Sequence, residues 1–338
     1  MVYFDCDYMT GAHPAVLKAL TAANNTPTPG YGNDPYCASA RRKILEACAI
    51  PDGDVFFLVG GTQTNTTVID WLIRRGQSVV CADTGHINVH EAGAVESSGH
   101  KVVTIPGHDG KILASELDAF MANFYADDTW THYSRPAMVY ISFPTELGTL
   151  YTKAELEEIA AVCRKYDMPL FIDGARLAYG LAASEDVTLA DIARIADIFY
   201  IGGTKCGTLM GEAVVARDAA LLKNFLTHAK SHGALLAKGR LLGIQFDALM
   251  TDDLYLNIGR EAVRLAMRLK NEFTRRGYPL LIDSPTNQQF FVLPNDVLDR
   301  LRTNVSFELW GPRGATHTPV RFVTSWSTTD ADIDAVFS

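Results

Sequence analysis

Asp173 and Lys205 are the two residues whose types and positions most clearly predict chemistry. Asp173 ends the strand-like run in FIDGARL, and Lys205 follows the next such run in YIGGTKCG. Ligands bind at the carboxyl ends of strands in open α/β sheets, so both side chains are expected at one site. A lysine amine condenses with the aldehyde of pyridoxal phosphate (PLP), and an aspartate keeps the pyridine nitrogen of that cofactor protonated. The pair therefore predicts a PLP site.

A glycine-rich turn supplies a candidate phosphate site. The segment LVGGTQTN, from Leu58 to Asn65, follows a strand-like run and opens a predicted helix. Backbone N–H groups at a helix N-terminus, together with the Thr62 hydroxyl, are suited to bind phosphate. The segment lacks the GK[ST] of a Walker A loop and the full GxGxxG of dinucleotide folds. As an isolated pattern it is also compatible with a tight turn that binds nothing.

His86 is the third candidate, because it lies in DTGHINVHEAG directly after the strand-like run SVVCAD. From that position its imidazole can stack on a cofactor ring held at the same edge of the sheet. A capping or surface histidine in a polar loop explains the residue equally well when it is considered alone. Its place after another strand of the same sheet favours a role at the site.

These residues need a sheet that brings strand ends together, and the sequence predicts one. From about residue 54, short apolar runs alternate with amphipathic stretches, which is typical of βαβ units and a mostly parallel sheet. The predicted strands are VFFLV, SVVCAD, KVVTIP, MVYISF, PLFIDG, IFYIGG and EAVVAR. Between the fourth and fifth, Leu156, Ile159, Ala160 and Cys163 form an apolar stripe that predicts a helix packed on the sheet.

The pattern changes after Arg240. Two helical stretches are followed by three short strand-like runs, QQFFVLP, SFELW and VRFVTSW. We therefore predict an N-terminal segment and large α/β domain over residues 1–245 and a smaller C-terminal α+β domain over residues 246–338.

Composition narrows the class of function. The 338 residues carry a formal net charge of −9 without a basic block, which argues against binding to nucleic acid. The apolar runs are far shorter than the roughly 20 residues of a membrane span, and the N-terminus lacks the basic start of a secretion signal. The six cysteines form no C-x-x-C pairs and have no neighbouring histidines at metal-ligand spacing, which predicts a reduced, cytoplasmic protein with no metal site. A small-molecule substrate is expected.

The sequence resembles the L-threonine aldolases of low specificity, within the β-eliminating lyases of fold-type-I PLP enzymes. The resemblance covers nearly the whole chain, through GAHPAVLKAL, YGNDPY, GGTQTN, GHINVHEAGA, FIDGARL, GGTK and VRFVTSW. It implies an aspartate-aminotransferase-like α/β fold, with a mostly parallel seven-stranded sheet in the large domain and a small C-terminal α+β domain.

The resemblance also implies a role for each matching residue. Lys205 carries PLP as a covalent Schiff base, Asp173 partners the pyridine nitrogen, and His86 stacks on the ring. The implied phosphate ligands are Gly61, Thr62 and Thr204, the implied carboxylate ligands are Arg176 and Arg321, and His132 resembles a second active-site histidine. Tyr31 in YGNDPY matches a tyrosine lent across a dimer interface, which implies a homodimer or homotetramer with the active site between subunits.

The activity that the resemblance implies is cleavage of L-threonine or L-allo-threonine to glycine and an aldehyde. His86, His132 or a water positioned by them takes the proton of the β-hydroxyl. A β-eliminating lyase or an aminotransferase for another amino acid would share the cofactor residues. A PLP-binding regulatory protein is the non-enzymatic alternative, and the two arginines and the lack of a visible DNA-binding segment argue against it.

Overall fold

The fold is built from thirteen strands and fourteen helices, seen in a computed structural model that describes residues 1–338. The strands are β1 (Val2–Tyr3), β2 (Asp54–Leu58), β3 (Gln77–Ala82), β4 (Lys101–Ile105), β5 (Arg135–Ser142), β6 (Leu170–Asp173), β7 (Ile198–Gly202), β8 (Glu212–Ala216), β9 (Leu280–Ile282), β10 (Gln288–Pro294), β11 (Val305–Ser306), β12 (Glu308–Leu309) and β13 (His317–Val323).

The helices are α1 (Pro14–Ala23), α2 (Pro35–Cys48), α3 (Gly61–Leu72), α4 (His86–Val89), α5 (Ala94–Ser97), α6 (Ala114–Ala126), α7 (Lys153–Lys165), α8 (Leu177–Ala183), α9 (Leu189–Ile195), α10 (Phe225–Ser231), α11 (Arg240–Leu249), α12 (Leu254–Arg275), α13 (Asn295–Leu301) and α14 (Asp330–Phe337). Two short 3₁₀ turns cover Trp130–His132 and Ala219–Leu222. No helix combines the length and the apolar character that crossing a membrane requires.

The large sheet has seven strands in the order β2-β8-β7-β6-β5-β3-β4. Only β8 runs against the others, so the predicted mostly parallel seven-stranded sheet is confirmed. Successive residues of β5 alternate between two apolar clusters: Val139 and Ile141 enter one, and Met138 and Tyr140 enter the other. Because both faces are covered, the central strands read in the sequence as continuous apolar runs.

Helix α7 shows how local sequence fixes one of the covering helices. Thr152 and Glu155 form a capping box, in which each side chain satisfies a backbone N–H of the other. The predicted stripe of Leu156, Ile159, Ala160 and Cys163 is buried against the sheet, as the spacing indicated.

A smaller antiparallel sheet, in the order β12-β13-β10-β9, forms the C-terminal part, which confirms the predicted α+β character of that region. Helix α12 joins the two parts. Its first half packs into the core of the large sheet through Tyr255 and Ile258, and its second half packs into the smaller core through Leu269 and Phe273. The domain boundary near residue 245 stays a prediction.

The N-terminal segment runs from the C-terminal part of the fold to the large sheet. Strand β1 pairs in parallel with β11, and the Val323 N–H donates to the carbonyl of Phe4 at 2.8 Å. The Phe4 side chain is buried in the core of the C-terminal part. A few residues further on, Asp7 is buried beside the carboxyl ends of the large sheet.

Candidate active site

A cavity of about 290 Å³ opens where β5, β6 and β7 end. In a parallel sheet these ends share one edge, so residues distant in the sequence meet there. Seven of the predicted site residues line this cavity: Gly61, Thr62, His86, Asp173, Arg176, Thr204 and Lys205.

Lys205 follows β7 and is held through its backbone, because its carbonyl accepts a hydrogen bond from the Tyr179 hydroxyl at 2.5 Å. Burial, and next the positive charge of Arg176, lower the pKa of Lys205, and these effects outweigh the nearby carboxylates of Asp7 and Asp173. A lowered pKa increases the fraction of neutral amine at neutral pH. Neutral amine is the form that attacks a carbonyl carbon.

Asp173 is the last residue of β6 and is 5% exposed. Its carboxylate accepts hydrogen bonds from the hydroxyls of Tyr140 and Tyr200, both at 2.5 Å, from Asn65 at 3.0 Å and from the Ala175 N–H at 2.9 Å. Burial alone would raise the pKa of Asp173, but the positive charge of His86 and these hydrogen bonds hold it below its usual value. The side chain is therefore a fixed, ionised carboxylate in the cavity wall.

His86 belongs to a chain of hydrogen bonds that reaches Asp173. Its Nδ1 lies 2.7 Å from Oε1 of the buried Glu91, and the same oxygen accepts from Asn65 at 2.7 Å. Asn65 in turn donates to Asp173. Because Glu91 occupies Nδ1 of His86, Nε2 is the ring nitrogen left for other partners.

The glycine-rich turn begins α3, and its geometry suits an anion. No side chain caps the first turn of α3, so its backbone N–H groups remain available beside the cavity. A Cβ on Gly61 would lie 3.3 Å from the Tyr200 hydroxyl that holds Asp173, so a side chain there would crowd that hydroxyl. The Thr204 oxygen accepts from the Gly211 N–H at 3.1 Å, and the residue lines the cavity.

Arg176 is fixed by a buried carboxylate that the sequence did not predict. Asp7 accepts from Nε of Arg176 at 2.7 Å and from Nη2 at 3.0 Å, while Asn287 donates to Asp7 at 2.9 Å. Burial opposes the ionised state of Asp7, but the Arg176 guanidinium holds the pKa of Asp7 below its usual value. Nη1 of Arg176 makes no hydrogen bond within the protein and can receive a carboxylate.

Glu146 is the second residue that sequence reasoning missed. Its Oε1 accepts from the Ser142 hydroxyl at 2.6 Å and from the His86 backbone N–H at 2.9 Å, and the residue lines the cavity. Burial, reinforced by the negative charge of Asp173, raises the pKa of Glu146 despite those hydrogen bonds. The available signal was its position in SFPTELG, just after the strand that ends at Ser142.

Three predicted residues do not line the cavity. His132 is exposed and lies before β5, at the opposite end of that strand from Ser142. Ten residues of nearly extended chain separate His132 from the site edge, more than about 20 Å. The structure therefore does not place His132 in the active site. The prediction had relied on the residue type and had not considered which end of the strand His132 precedes.

Arg321 and Tyr31 also lie outside the cavity lining, and each makes contacts of its own. Arg321 on β13 donates to Gln288 at 3.0 Å, pairs with Glu308 and packs over the Trp310 ring at 4.8 Å. Burial, and next the positive charge of Arg176, lower the pKa of Arg321. Tyr31 is 44% exposed, and Lys230 lies 4.5 Å from the centre of its ring.

Fold and cavity together define a PLP-dependent enzyme with the aspartate aminotransferase fold. An aspartate aminotransferase double mutant from Thermus thermophilus has the same fold, with a TM-score of 0.67 at 16% identity over 100% of this chain and 90% of that one. The sequence model of the family described as "Beta-eliminating lyase" matches residues 4–289. The chain belongs to the beta-eliminating lyase family, which is a family of PLP-dependent lyases.

Two relatives match over almost their whole length. The chain is 30% identical to a low specificity L-threonine aldolase of Pseudomonas sp. strain NCIMB 10558, over 99% of this chain and 98% of that protein. A solved structure of threonine aldolase from Leishmania major superimposes with a TM-score of 0.95 at 40% identity, covering 100% of this chain and 98% of that one. The sequence resemblance to the threonine aldolase group is thereby confirmed.

Proposed function

We propose that this chain cleaves β-hydroxy-α-amino acids, with L-threonine and L-allo-threonine as substrates, to glycine and an aldehyde. The observation that carries the proposal is one cavity that holds a lysine of lowered pKa, an ionised aspartate and an arginine with a free N–H edge. The full-length similarity to proteins named threonine aldolase supports this choice of substrate.

The residues present fit PLP. When bound, the cofactor supplies an aldehyde carbon that condenses with amines and a ring that accepts the electron pair of a broken bond. Lys205 would provide the amine for covalent attachment, and Asp173 would hold a proton on the ring nitrogen. Gly61, Thr62 and Thr204 are assigned to the phosphate, and His86 is assigned to the ring face.

Arg176 and Arg321 are assigned to bind the substrate carboxylate and so to orient the substrate. A guanidinium binds a carboxylate through two parallel N–H groups, and Asp7 already fixes the plane of Arg176. Asp7 therefore positions Arg176 without touching substrate. Arg321 joins the carboxylate site on this proposal by exchanging its bond to Gln288, and its buried Nε, which has no hydrogen-bond partner, supports this assignment.

Proton transfer at the β-hydroxyl is assigned to Glu146, with His86 beside it. Oε1 of Glu146 is engaged by Ser142 and by the His86 N–H, whereas Oε2 makes no hydrogen bond within the protein. A carboxylate of raised pKa is a stronger base than an ordinary one and is still largely ionised when the pH exceeds that pKa. Glu146 replaces His132 as the partner of His86 in this role.

Glu146→Gln should lower kcat by about 10² to 10⁴-fold, because the amide keeps the shape and cannot accept the proton. The raised pKa gives the wild type an acid limb, in which activity falls as pH drops through that pKa, and the variant should lose this limb. The measurement is kcat/KM against pH. Ser142→Ala, which removes a hydrogen bond to the same carboxylate, is the control and should retain the limb. A Glu146→Gln profile identical to wild type would remove Glu146 from the mechanism.

The function itself is tested by product analysis. Purified protein loaded with PLP is given L-threonine and L-allo-threonine separately, and acetaldehyde and glycine are quantified. Equimolar acetaldehyde and glycine are expected. Pyruvate with ammonia would indicate a β-eliminating lyase instead, an oxo acid with aminated cofactor would indicate an aminotransferase, and no product from an array of amino acids would favour a regulatory role.

The proposal includes a homodimer or homotetramer in which Tyr31 of one subunit completes the site of another. The exposure of Tyr31 and its position outside its own chain's cavity support this arrangement. A cytoplasmic location is also proposed, and six cysteines without a disulfide, five of them buried, are consistent with a reducing compartment.

A further inference from the structure

A second cluster of ionisable side chains lies at the other end of α3 from the cavity. Asp70 is in the last turn of α3, and its Oδ2 lies 2.8 Å from Nε2 of His232 and 3.5 Å from Nε2 of His228. His228 and His232 are four residues apart on α10 and its C-terminal cap, so their rings project from one face. Their ring centres are 4.4 Å apart.

We propose that Asp70, His228 and His232 bind a divalent transition-metal ion, with Zn²⁺ as the ion that this ligand set suits best. The three ligand atoms all lie within 4.8 Å of one another. Tetrahedral ligands at about 2.1 Å from zinc lie roughly 3.4 Å apart, so the three atoms need only small shifts to share one ion. Two imidazoles and one carboxylate, with a water as fourth ligand, form an ordinary zinc site.

His100 contacts the Asp70 oxygen that does not face the two histidines. Its Nε2 lies 2.9 Å from Oδ1 of Asp70, and its Nδ1 is buried without a partner. Because a proton on Nδ1 would have no acceptor, the proton lies on Nε2 and is donated to Asp70. Oδ1 is thereby occupied, and Oδ2 is left for the ion. Hydrogen bonds of this kind orient the ligands of protein metal sites.

The exposure of the three side chains suits an ion site. The three side chains are 15% to 25% exposed, enough for an ion to enter and little enough to limit its hydration. The Thr67 carbonyl lies 3.1 Å from Nε2 of His228 and is a hydrogen-bond acceptor that the ion would displace.

The ion would act as a structural link between two helices. α3 contributes Asp70 and α10 contributes the histidines, and the two helices are packed side by side. Asp70 lies nine residues along α3 from Gly61 in the phosphate turn, about 14 Å at 1.5 Å per residue. That distance separates the ion from the chemistry, so its effect falls on the stability and not on the reacting atoms.

The prediction from sequence that there is no metal site is revised by this proposal. The pair HAKSH carries the spacing of two ligands on a helix, but Asp70 and His100 are distant in the sequence. Only the packing of α10 on α3 brings the carboxylate to the histidines.

The test is a Zn²⁺ titration, monitored by calorimetry, of the metal-stripped, PLP-loaded protein from which free PLP has been removed. One Zn²⁺ per chain with a dissociation constant in the micromolar range or below is expected, together with a higher melting temperature. His228→Gln and His232→Gln should each weaken that affinity by about 10-fold or more. Substituting Co²⁺ should give the visible absorbance of a tetrahedral site in wild type and not in the variants.

The matched control is His108→Gln. His108 also places Nε2 2.9 Å from a carboxylate, that of Glu116, but has no second histidine beside it, so this variant should bind Zn²⁺ like wild type. Circular dichroism without metal verifies the fold of each variant. If His228→Gln does not fold, the test relies on His232→Gln, because His232 is the more exposed of the two histidines. Absence of zinc binding by wild type, or binding that His232→Gln leaves unchanged, would overturn the proposal.

Discussion

Lys205→Ala should reduce aldehyde release from L-threonine to background, a fall of roughly 10⁴-fold or more, the scale seen when a nucleophile is removed. The side chain supplies the only amine among the residues that line the cavity, and its lowered pKa keeps that amine reactive. Alanine preserves the backbone, whose carbonyl is held by Tyr179, so the fold should persist. The measurements are turnover and the mass of borohydride-reduced protein, which should gain covalent cofactor in wild type only.

Lys223→Ala is the control for Lys205→Ala, because Lys223 is exposed and outside the cavity. It should retain both turnover and the mass shift. Normal turnover by Lys205→Ala would refute the assignment of the lysine. Loss of turnover with an unchanged mass shift would mean that another amine carries the cofactor.

Asp173→Asn is expected to lower kcat by about 10² to 10⁴-fold, while the protein still binds some PLP. An amide has nearly the same shape but no charge, so it cannot hold a protonated ring nitrogen. It also offers one acceptor oxygen in place of two, and the hydroxyls of Tyr140 and Tyr200 need separate oxygens. The loss should appear in kcat more than in KM, because the charge acts on the bond-breaking step.

Tyr200→Phe separates charge from hydrogen bonding at this position. It removes one hydrogen bond to Asp173 and leaves the carboxylate, so its activity should lie between those of wild type and Asp173→Asn. Steady-state kinetics with the cofactor saturating give the comparison. An Asp173→Asn variant with the kcat of wild type would show that ring protonation does not depend on this residue.

The sequence was most informative where a local pattern carries the physics. Strands covered on both faces are runs of apolar residues, and Asp173 and Lys205 follow such runs directly, so the large sheet and its catalytic edge could be predicted. The glycines of the turn before α3 were equally visible. Each of these features is decided within about ten residues of chain.

What could not be predicted depends on contacts between distant residues. Asp7 and Arg176 are 169 residues apart in the sequence, and Asn65 and Asp173 are 108 residues apart. No local pattern marks such a carboxylate as buried. His132 failed for the opposite reason: its residue type suggested a role, but its strand carries it to the wrong edge of the sheet.

The pairing of β1 with β11 constrains when the site can be completed during synthesis. The partners of Val2 and Phe4 are Asn304, Ser306 and Val323, which leave the ribosome roughly 300 residues later. At about 5 to 20 residues per second, the first segment waits roughly 15 to 60 s for them. Asp7 lies on that segment, so a nascent chain can form the large sheet while its arginine still lacks the carboxylate that fixes it. The pocket of this protein can reach its mature form only after residue 323 has been synthesised.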